Sequence, residues 1–302
     1  MRKVLVLGAT GFVGRRLTRT FVQKGFDVRC SVRNPIKAAD ILPKGCEIIP
    51  GDILDEKSMY EAVKGVEAVY ISVHTLRPQP KSMPGESFTG TELRGLGYVV
   101  KACKDLGVRR IIYITFLGTA PDAEISWSRG RWNEEQLLLK SGLNATILRP
   151  GQIVGKGGNG FNMMMAQAKA KFAMVIGSGK QKMQNIALDD LVYYLIQLLD
   201  EPKTYGHAYD VGCDDILTYN EMIDVAARVI GRPAPFKIHL PVFLLKPVAS
   251  VVERAAKIPK GSFSDLVKGM QTDMVGDTRA IKAVIPFQPR SYENAVRKAL
   301  EE

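Results

Sequence analysis

Glycines 8, 11 and 14 stand in Gly8-Ala9-Thr10-Gly11-Phe12-Val13-Gly14, the spacing G-x-x-G-x-x-G. They follow the apolar run Val4–Leu7 and open a segment in which Val13, Leu17 and Phe21 recur every four residues, as on one face of a helix. Strand, glycine turn and helix in that order form an anion site. The first glycine permits the tight turn, and the second lets backbone approach a diphosphate. The third lets helix pack on strand, while the helix N-terminus offers N–H groups to the charge. The ligand this predicts is a dinucleotide, held by Gly8, Thr10, Gly11, Phe12, Val13 and Gly14.

The end of the second strand selects the nucleotide. A carboxylate there holds a ribose 2′-hydroxyl, whereas an arginine accommodates a 2′-phosphate. The sequence reads Ser31-Val32-Arg33-Asn34-Pro35, with Lys37 beyond and no carboxylate. A guanidinium at Arg33 grips two phosphate oxygens at once, so NADP(H) is favoured over NAD(H). His74 follows an apolar strand at the edge where such folds bind ligands, and an ordinary imidazole suits acid–base work near neutrality. His207 and His239 have no motif around them and read as surface or packing residues. Met163, Met164 and Met165 fit either an apolar substrate pocket or simple helix packing.

These residues need a frame. Strands are expected at Val4–Leu7, Phe26–Val32, Cys46–Pro50, Ala68–Val73, Arg110–Thr115 and Asn144–Leu148, with helices between them, notably Leu93–Leu106 and Arg131–Lys140. Alternation of this kind implies an α/β fold: a doubly wound parallel Rossmann sheet in a nucleotide-binding domain over residues 1–154. Residues 155–302 read as a smaller substrate-side region interleaved with the last elements of the sheet. They carry a glycine-rich loop at 155–160, helices at Phe161–Lys171, Asp189–Leu199 and Tyr219–Ile230, and a strand at Ala208–Gly212.

With 302 residues and a formal charge of +11, the chain is basic without a dense cationic block. No recognition-helix, zinc-finger or RNP-like pattern supports nucleic acid, so a local phosphate site on a basic surface is preferred. The four cysteines, Cys30, Cys46, Cys103 and Cys213, form no CxxC pair, which fits a reduced, cytoplasmic setting and no metal site. The apolar stretch Leu240–Val252 with Lys246 permits contact with anionic lipid. Pro241 and Pro247 interrupt it as an amphipathic helix, so a core or dimer-interface segment is preferred. Nothing in the sequence sets the oligomeric state.

GATGFVG, the strand end at Arg33, Gly51-Asp52, and Ser141-Gly142-Leu143 leading to Ile147-Leu148-Arg149-Pro150-Gly151 together resemble the atypical short-chain dehydrogenases/reductases, an NmrA-like group. Segment 69–76 (VYISVHTL), IALDDLVYYL and MVGDTRAIKAVIP are similar to bacterial NAD(P)-binding proteins of the YbjT type. The accessory subunit of respiratory complex I is a more distant likeness. The resemblance implies that Asp52 and Ile53 border the adenine, that Ser72, Val73 and His74 line the dinucleotide, and that Thr115, Phe116 and Leu117 with Pro150, Gly151 and Ile153 lie near the nicotinamide. It also exposes a departure. Where the family carries a Ser–Tyr–Lys set, this sequence places Thr115, Trp127 and Arg131. An indole cannot shuttle a proton, and an arginine can hold ribose hydroxyls but does not titrate. Two functions follow: a reductase of a small apolar carbonyl, enone or quinone, with His74 and Thr115 as candidate catalytic groups, or a non-catalytic NADP(H)-binding scaffold or redox sensor.

Overall fold

The computed structural model describes residues 2–74, 88–245, 247, 249–256 and 262–301. Strand and helix alternate through β1 (Lys3–Leu7), α1 (Phe12–Gln23), β2 (Asp27–Val32), α2 (Pro35–Ala39), β3 (Cys46–Pro50), α3 (Glu56–Val63), β4 (Ala68–Ile71), α4 (Phe88–Asp105), β5 (Arg110–Ile114), α5 (Ser126–Leu139) and β6 (Asn144–Pro150). There follow β7 (Gln152–Val154), α6 (Asn159–Lys169), β8 (Phe172–Ile176), β9 (Lys182–Ala187), α7 (Leu188–Gln197), β10 (His207–Val211), β11 (Ile216–Thr218) and α8 (Tyr219–Val229). The chain closes with β12 (Phe236–Leu240), α9 (Ala249–Ala256), α10 (Ser262–Gly269), α11 (Arg279–Val284) and α12 (Tyr292–Glu301).

Seven strands form one parallel sheet in the order β3-β2-β1-β4-β5-β6-β10. This is the doubly wound Rossmann sheet. Side chains of β1 show why it is buried on both faces: Val4 and Val6 enter one core with Leu17 and Phe21 of α1, while Leu5 and Leu7 enter the other with Val99 and Cys103 of α4. The strand order reverses between β1 and β4, and the crevice at their carboxyl ends is where such sheets take ligands.

Beyond β6 the expectations were coarser. β7, β9 and β11 form a second small sheet, and β8 pairs with β12 in a third; none of these five strands was read from the sequence. Phe172–Ile176 follows α6 without a glycine break, so its apolar run merges with the helix pattern. Positions 159 and 160, expected in the loop, begin α6 behind Gly158. Leu240–Val252 is no single helix; it ends β12, makes a 3-10 turn at Val242–Leu244 and enters α9. Lys246 and Val248 of that stretch, with Thr75 and Leu76, lie outside the described residues. Met164 and Met165 are core residues, so helix packing accounts for them, and Met163 is exposed. No helix among the described residues is long and apolar enough to cross a membrane.

A Cβ placed on Gly14 would lie 2.1 Å from the carbonyl oxygen of Gly8, backbone that cannot swing aside. Gly14→Ala is therefore expected to cost about 1–3 kcal/mol, the usual penalty for overpacking. It should also weaken dinucleotide binding by at least about tenfold, some 1.4 kcal/mol. Thermal denaturation and calorimetry measure the two effects, and an unchanged affinity would show that this turn is not the cradle.

Candidate functional site

The crevice is built around Gly8. Its φ of +84° is open to glycine, and a Cβ there would sit 2.6 Å from the Ser72 carbonyl oxygen and 3.1 Å from the Val73 nitrogen. The Gly11 N–H donates to the Gly8 carbonyl at 2.9 Å. Helix α1 starts at Phe12 with no side-chain cap and no acidic residue in its first turn, so its dipole faces the crevice unopposed. A backbone cradle that side chains would fill, at an uncapped helix N-terminus, fits a diphosphate. Gly155 and Gly158 abut the Phe12 ring, bringing the glycine-rich loop beside the turn.

Arg33 and Lys37 are exposed at the end of β2 and in α2, where the Asn34 side chain accepts the Lys37 N–H at 3.1 Å. Asp52 is half-buried. Its carboxylate accepts the Leu54 N–H at 3.0 Å, and Ile53 packs where α4 passes at Gly95. Pro150 and Gly151 are buried at the end of β6, the Pro150 carbonyl accepting the Leu117 N–H at 3.0 Å. Thr10 is exposed, and Phe116 and Ile153 are half-buried.

Arg131 is the centre of a buried polar cluster and is only 1% exposed. Nη1 donates to the Tyr113 hydroxyl at 2.5 Å and to Glu134 at 2.8 Å; Nη2 meets Glu92 at 2.8 Å and donates to His74 Nδ1. Both terminal nitrogens are thus engaged, and Nε is buried without a partner among the described residues. Arg131, expected at the ribose, is turned inward instead, tying β4, β5, α4 and α5 together.

Two protonation states follow. Burial, reinforced by Glu92 and opposed by Arg131, pushes the Glu134 carboxyl up to about 7. Its Oε1 is buried with no partner among the described residues, which also favours the neutral acid. His74 lies two residues beyond the Ser72 backbone that meets Gly8 and keeps an exposed face, but its ring is crowded and lies against the Arg131 charge. Desolvation first, then that charge, lower its pKa to about 4. The sequence expectation of an imidazole titrating near neutrality is corrected: His74 is neutral. Because arginine only donates, Nδ1 must accept, and the ring proton resides on Nε2.

Thr115 is also held. Its hydroxyl donates to Glu135 at 2.7 Å, and Arg149 Nε grips the same carboxylate at 3.0 and 3.1 Å. Tyr113 and Thr115 therefore both face α5. Trp127 lies near α10, where a Cβ on Gly269 would be 3.5 Å from its ring, and Asp265 of α10 accepts the Ser126 N–H at 3.1 Å. Glu92, Glu134 and Glu135 carry no local signal of this role. The last two stand three and four residues after Arg131, a spacing that ordinarily marks exposed helix pairs.

The family description NAD(P)H-binding matches residues 8–202. The chain belongs to this NAD(P)H-binding family. Within it the chain is similar to an NAD(P)H azoreductase of Xenophilus azovorans, 26% identical over 236 residues, or 77% of this chain and 76% of that one. It is also similar to NADH dehydrogenase [ubiquinone] 1 alpha subcomplex subunit 9 of Arabidopsis thaliana mitochondria, 25% identical over 310 residues, 95% of this chain and 75% of that one. The fold is shared with the NADPH-dependent quinone oxidoreductase QOR2 of Escherichia coli, solved with NADPH. The TM-score is 0.73 at 19% identity, covering 98% of this chain and 100% of that one. The resemblance to NmrA-like atypical short-chain dehydrogenases/reductases is borne out.

Arg131→Met takes the ion-pair partner from the buried Glu92 and a donor from the Tyr113 hydroxyl and Glu134, and is expected to destabilise the fold by about 3–5 kcal/mol. A loss under 1 kcal/mol (roughly the value of a surface pair) would refute the cluster's role. Glu134, with its folded pKa raised to about 7, contributes stability below the ordinary carboxylate range that is lost as pH rises through about 7. Denaturant titrations of Glu134→Gln should lack that decline.

Proposed function

We propose that the chain is an NADPH-dependent reductase of a small, fairly apolar carbonyl, enone or quinone. A reduced nicotinamide supplies hydride. The chain supplies a neutral imidazole whose Nε2–H is directed by Arg131 at Nδ1, and this is the observation that carries the reading. Such a donor stabilises an oxygen that gains negative charge, without holding a mobile proton of its own. Gly8, Gly11 and Gly14 with the α1 N-terminus hold the diphosphate, and Arg33 with Lys37 meets the 2′-phosphate. Thr115 acts through its place beside the nicotinamide, its hydroxyl oriented by Glu135. Substrates whose reduced anions are already weak bases, quinones and enones, suit this arrangement better than simple ketones. The azoreductase relative and the quinone oxidoreductase of the same fold agree with a reductase of that breadth.

A second reading has its own observation. Trp127 and Arg131 stand where the resemblance expects tyrosine and lysine, and one relative is named as a subunit of a larger complex. In that reading the chain is an NADP(H)-binding scaffold or redox sensor.

NADPH oxidation against panels of quinones, enones and carbonyls separates them, with Gly11→Asp as the cofactor-site control. Tight NADPH binding without turnover on any substrate rejects the reductase. His74→Phe is expected to lower kcat by roughly 100- to 1000-fold, the loss typical of one oxyanion donor, with His74→Gln retaining more. The pH profile of Glu134→Gln, which lacks the carboxyl titrating near 7, should show no inflection at the ordinary imidazole value of 6.5, because His74 is already neutral well below it. Arg33→Ala is expected to reduce the NADPH preference by about tenfold or more, roughly the 1.5–3 kcal/mol of a charged hydrogen bond. An unchanged NADPH-to-NADH affinity ratio would remove Arg33 from the phosphate site.

A further inference from the structure

Strand β12 is inside out. It pairs in parallel with β8, Phe236 beside Phe172, Ile238 beside Met174 and Leu240 beside Ile176. On β8 the alternate residues Ala173 and Val175 are buried in the core of α6 and α8. The residues of β12 in register with them are polar: Lys237, paired with Asp224 of α8 at 2.5 Å, and His239, beside Asn220. The opposite face of the pair is apolar throughout and open, with Phe236 69%, Phe172 53%, Met174 47% and Ile238 38% exposed. A half-buried strand ordinarily does the reverse. Phe243 and Leu244, in the turn after β12, extend this surface.

The charge around it discriminates between possible occupants. Residues 155–188 and 230–252, which contain both strands, carry eight Lys or Arg and no Asp or Glu. Lys169, Lys171 and Arg232 are exposed where β8 and β12 begin. Asp224 is used by Lys237, and Asp273 accepts the Lys182 N–H at 2.7 Å. An apolar face with a cationic rim matches an anionic bilayer surface, where apolar area enters the headgroup boundary and lysines meet lipid phosphates. A second copy seated on the same face would oppose two cationic rims. Strand addition at β8 is blocked, because the Gln167 side chain already pairs with the Met174 N–H at 2.8 Å and carbonyl at 3.0 Å.

We infer that the β8–β12 face is a peripheral docking surface for anionic membrane. Within Leu240–Val252, for which the sequence favours a core or dimer-interface segment, Phe243 and Leu244 are exposed and continue this face, and the inference assigns them to lipid instead.

The test is flotation of the full chain with vesicles of phosphatidylcholine alone and of phosphatidylcholine with phosphatidylglycerol, each at low and high salt. Binding is expected on the anionic vesicles, weakened by salt, with little on the neutral ones. Phe172→Ser/Phe236→Ser and Lys169→Glu/Lys171→Glu should each lower the bound fraction about tenfold or more, as loss of about 1.4 kcal/mol does, with NADPH affinity unchanged. Phe243→Trp in the otherwise native chain reports insertion by a blue-shifted emission quenched by brominated lipid, independently of whether the double variants fold. Absence of flotation on anionic vesicles overturns the inference. So does flotation insensitive to both double variants, or a dimer in sedimentation equilibrium that the phenylalanine pair alone dissolves.

Discussion

The backbone of Ser72 passes so close to Gly8 that no side chain fits between them. That approach, with the equally tight contact of Gly14 on Gly8, sets the geometry of the crevice. It requires β1 and β4 to be neighbours with their connections leaving in opposite directions, which the strand order provides. It also brings the α1 N-terminus to the sheet edge. What remains for a ligand is backbone N–H and a helix dipole, which recognise a diphosphate but distinguish little else. In the proposed reading, discrimination between nucleotides comes from strand ends farther out, from Arg33 beyond β2 and Asp52 beyond β3.

Arg131 imposes a second constraint. A guanidinium buried between two carboxylates, a phenol and an imidazole joins four elements at one point. Removing such charges from water costs several kcal/mol per ion, and their attraction offsets this only when the donors are nearly all satisfied. The raised Glu134 carboxyl eases the balance: the more firmly it holds its proton, the less negative charge is buried beside Arg131. The arrangement secures geometry rather than adding stability. Its product is a fixed imidazole orientation two residues beyond Ser72.

The parts of this organisation that were legible in the sequence are those governed by local rules. The glycine spacing, the four-residue helical repeat and the buried runs placed β1 to β6 within a few residues, because the central strands β1, β4 and β5 bury both faces and read as near-continuous apolar runs. Arg131 and Trp127 could be assigned to the family's lysine and tyrosine positions by counting. What those side chains contact could not be read. Glu92 lies 39 residues before Arg131 in the chain, and nothing local predicts that their helices close on one another. The same limit applied to His74, whose ordinary pKa holds only if its ring stays solvated and no cation stands behind it. β12 eluded the reading for a different reason. Its alternating pattern is that of a strand, but Leu240 runs into a proline-broken apolar stretch, and no local rule says that the apolar side faces outward.

Under the proposed function, replacing a titrating lysine with a permanent cation changes which reductions are feasible. The usual tyrosine and lysine deliver a proton as an alkoxide forms, and so make a strongly basic product tolerable. A neutral imidazole pinned by arginine offers a hydrogen bond whose own proton is held far more tightly. The reaction it best supports ends in an anion that water can protonate later, such as a phenolate or an enolate, since a phenol's pKa is only about 10. Under the proposed function the electrostatic contribution comes from pre-orientation: the N–H is fixed before the substrate arrives, so no reorganisation is needed as charge develops. The buried cluster behind it, costly in itself, is the means by which the fold keeps that donor neutral, directed and still.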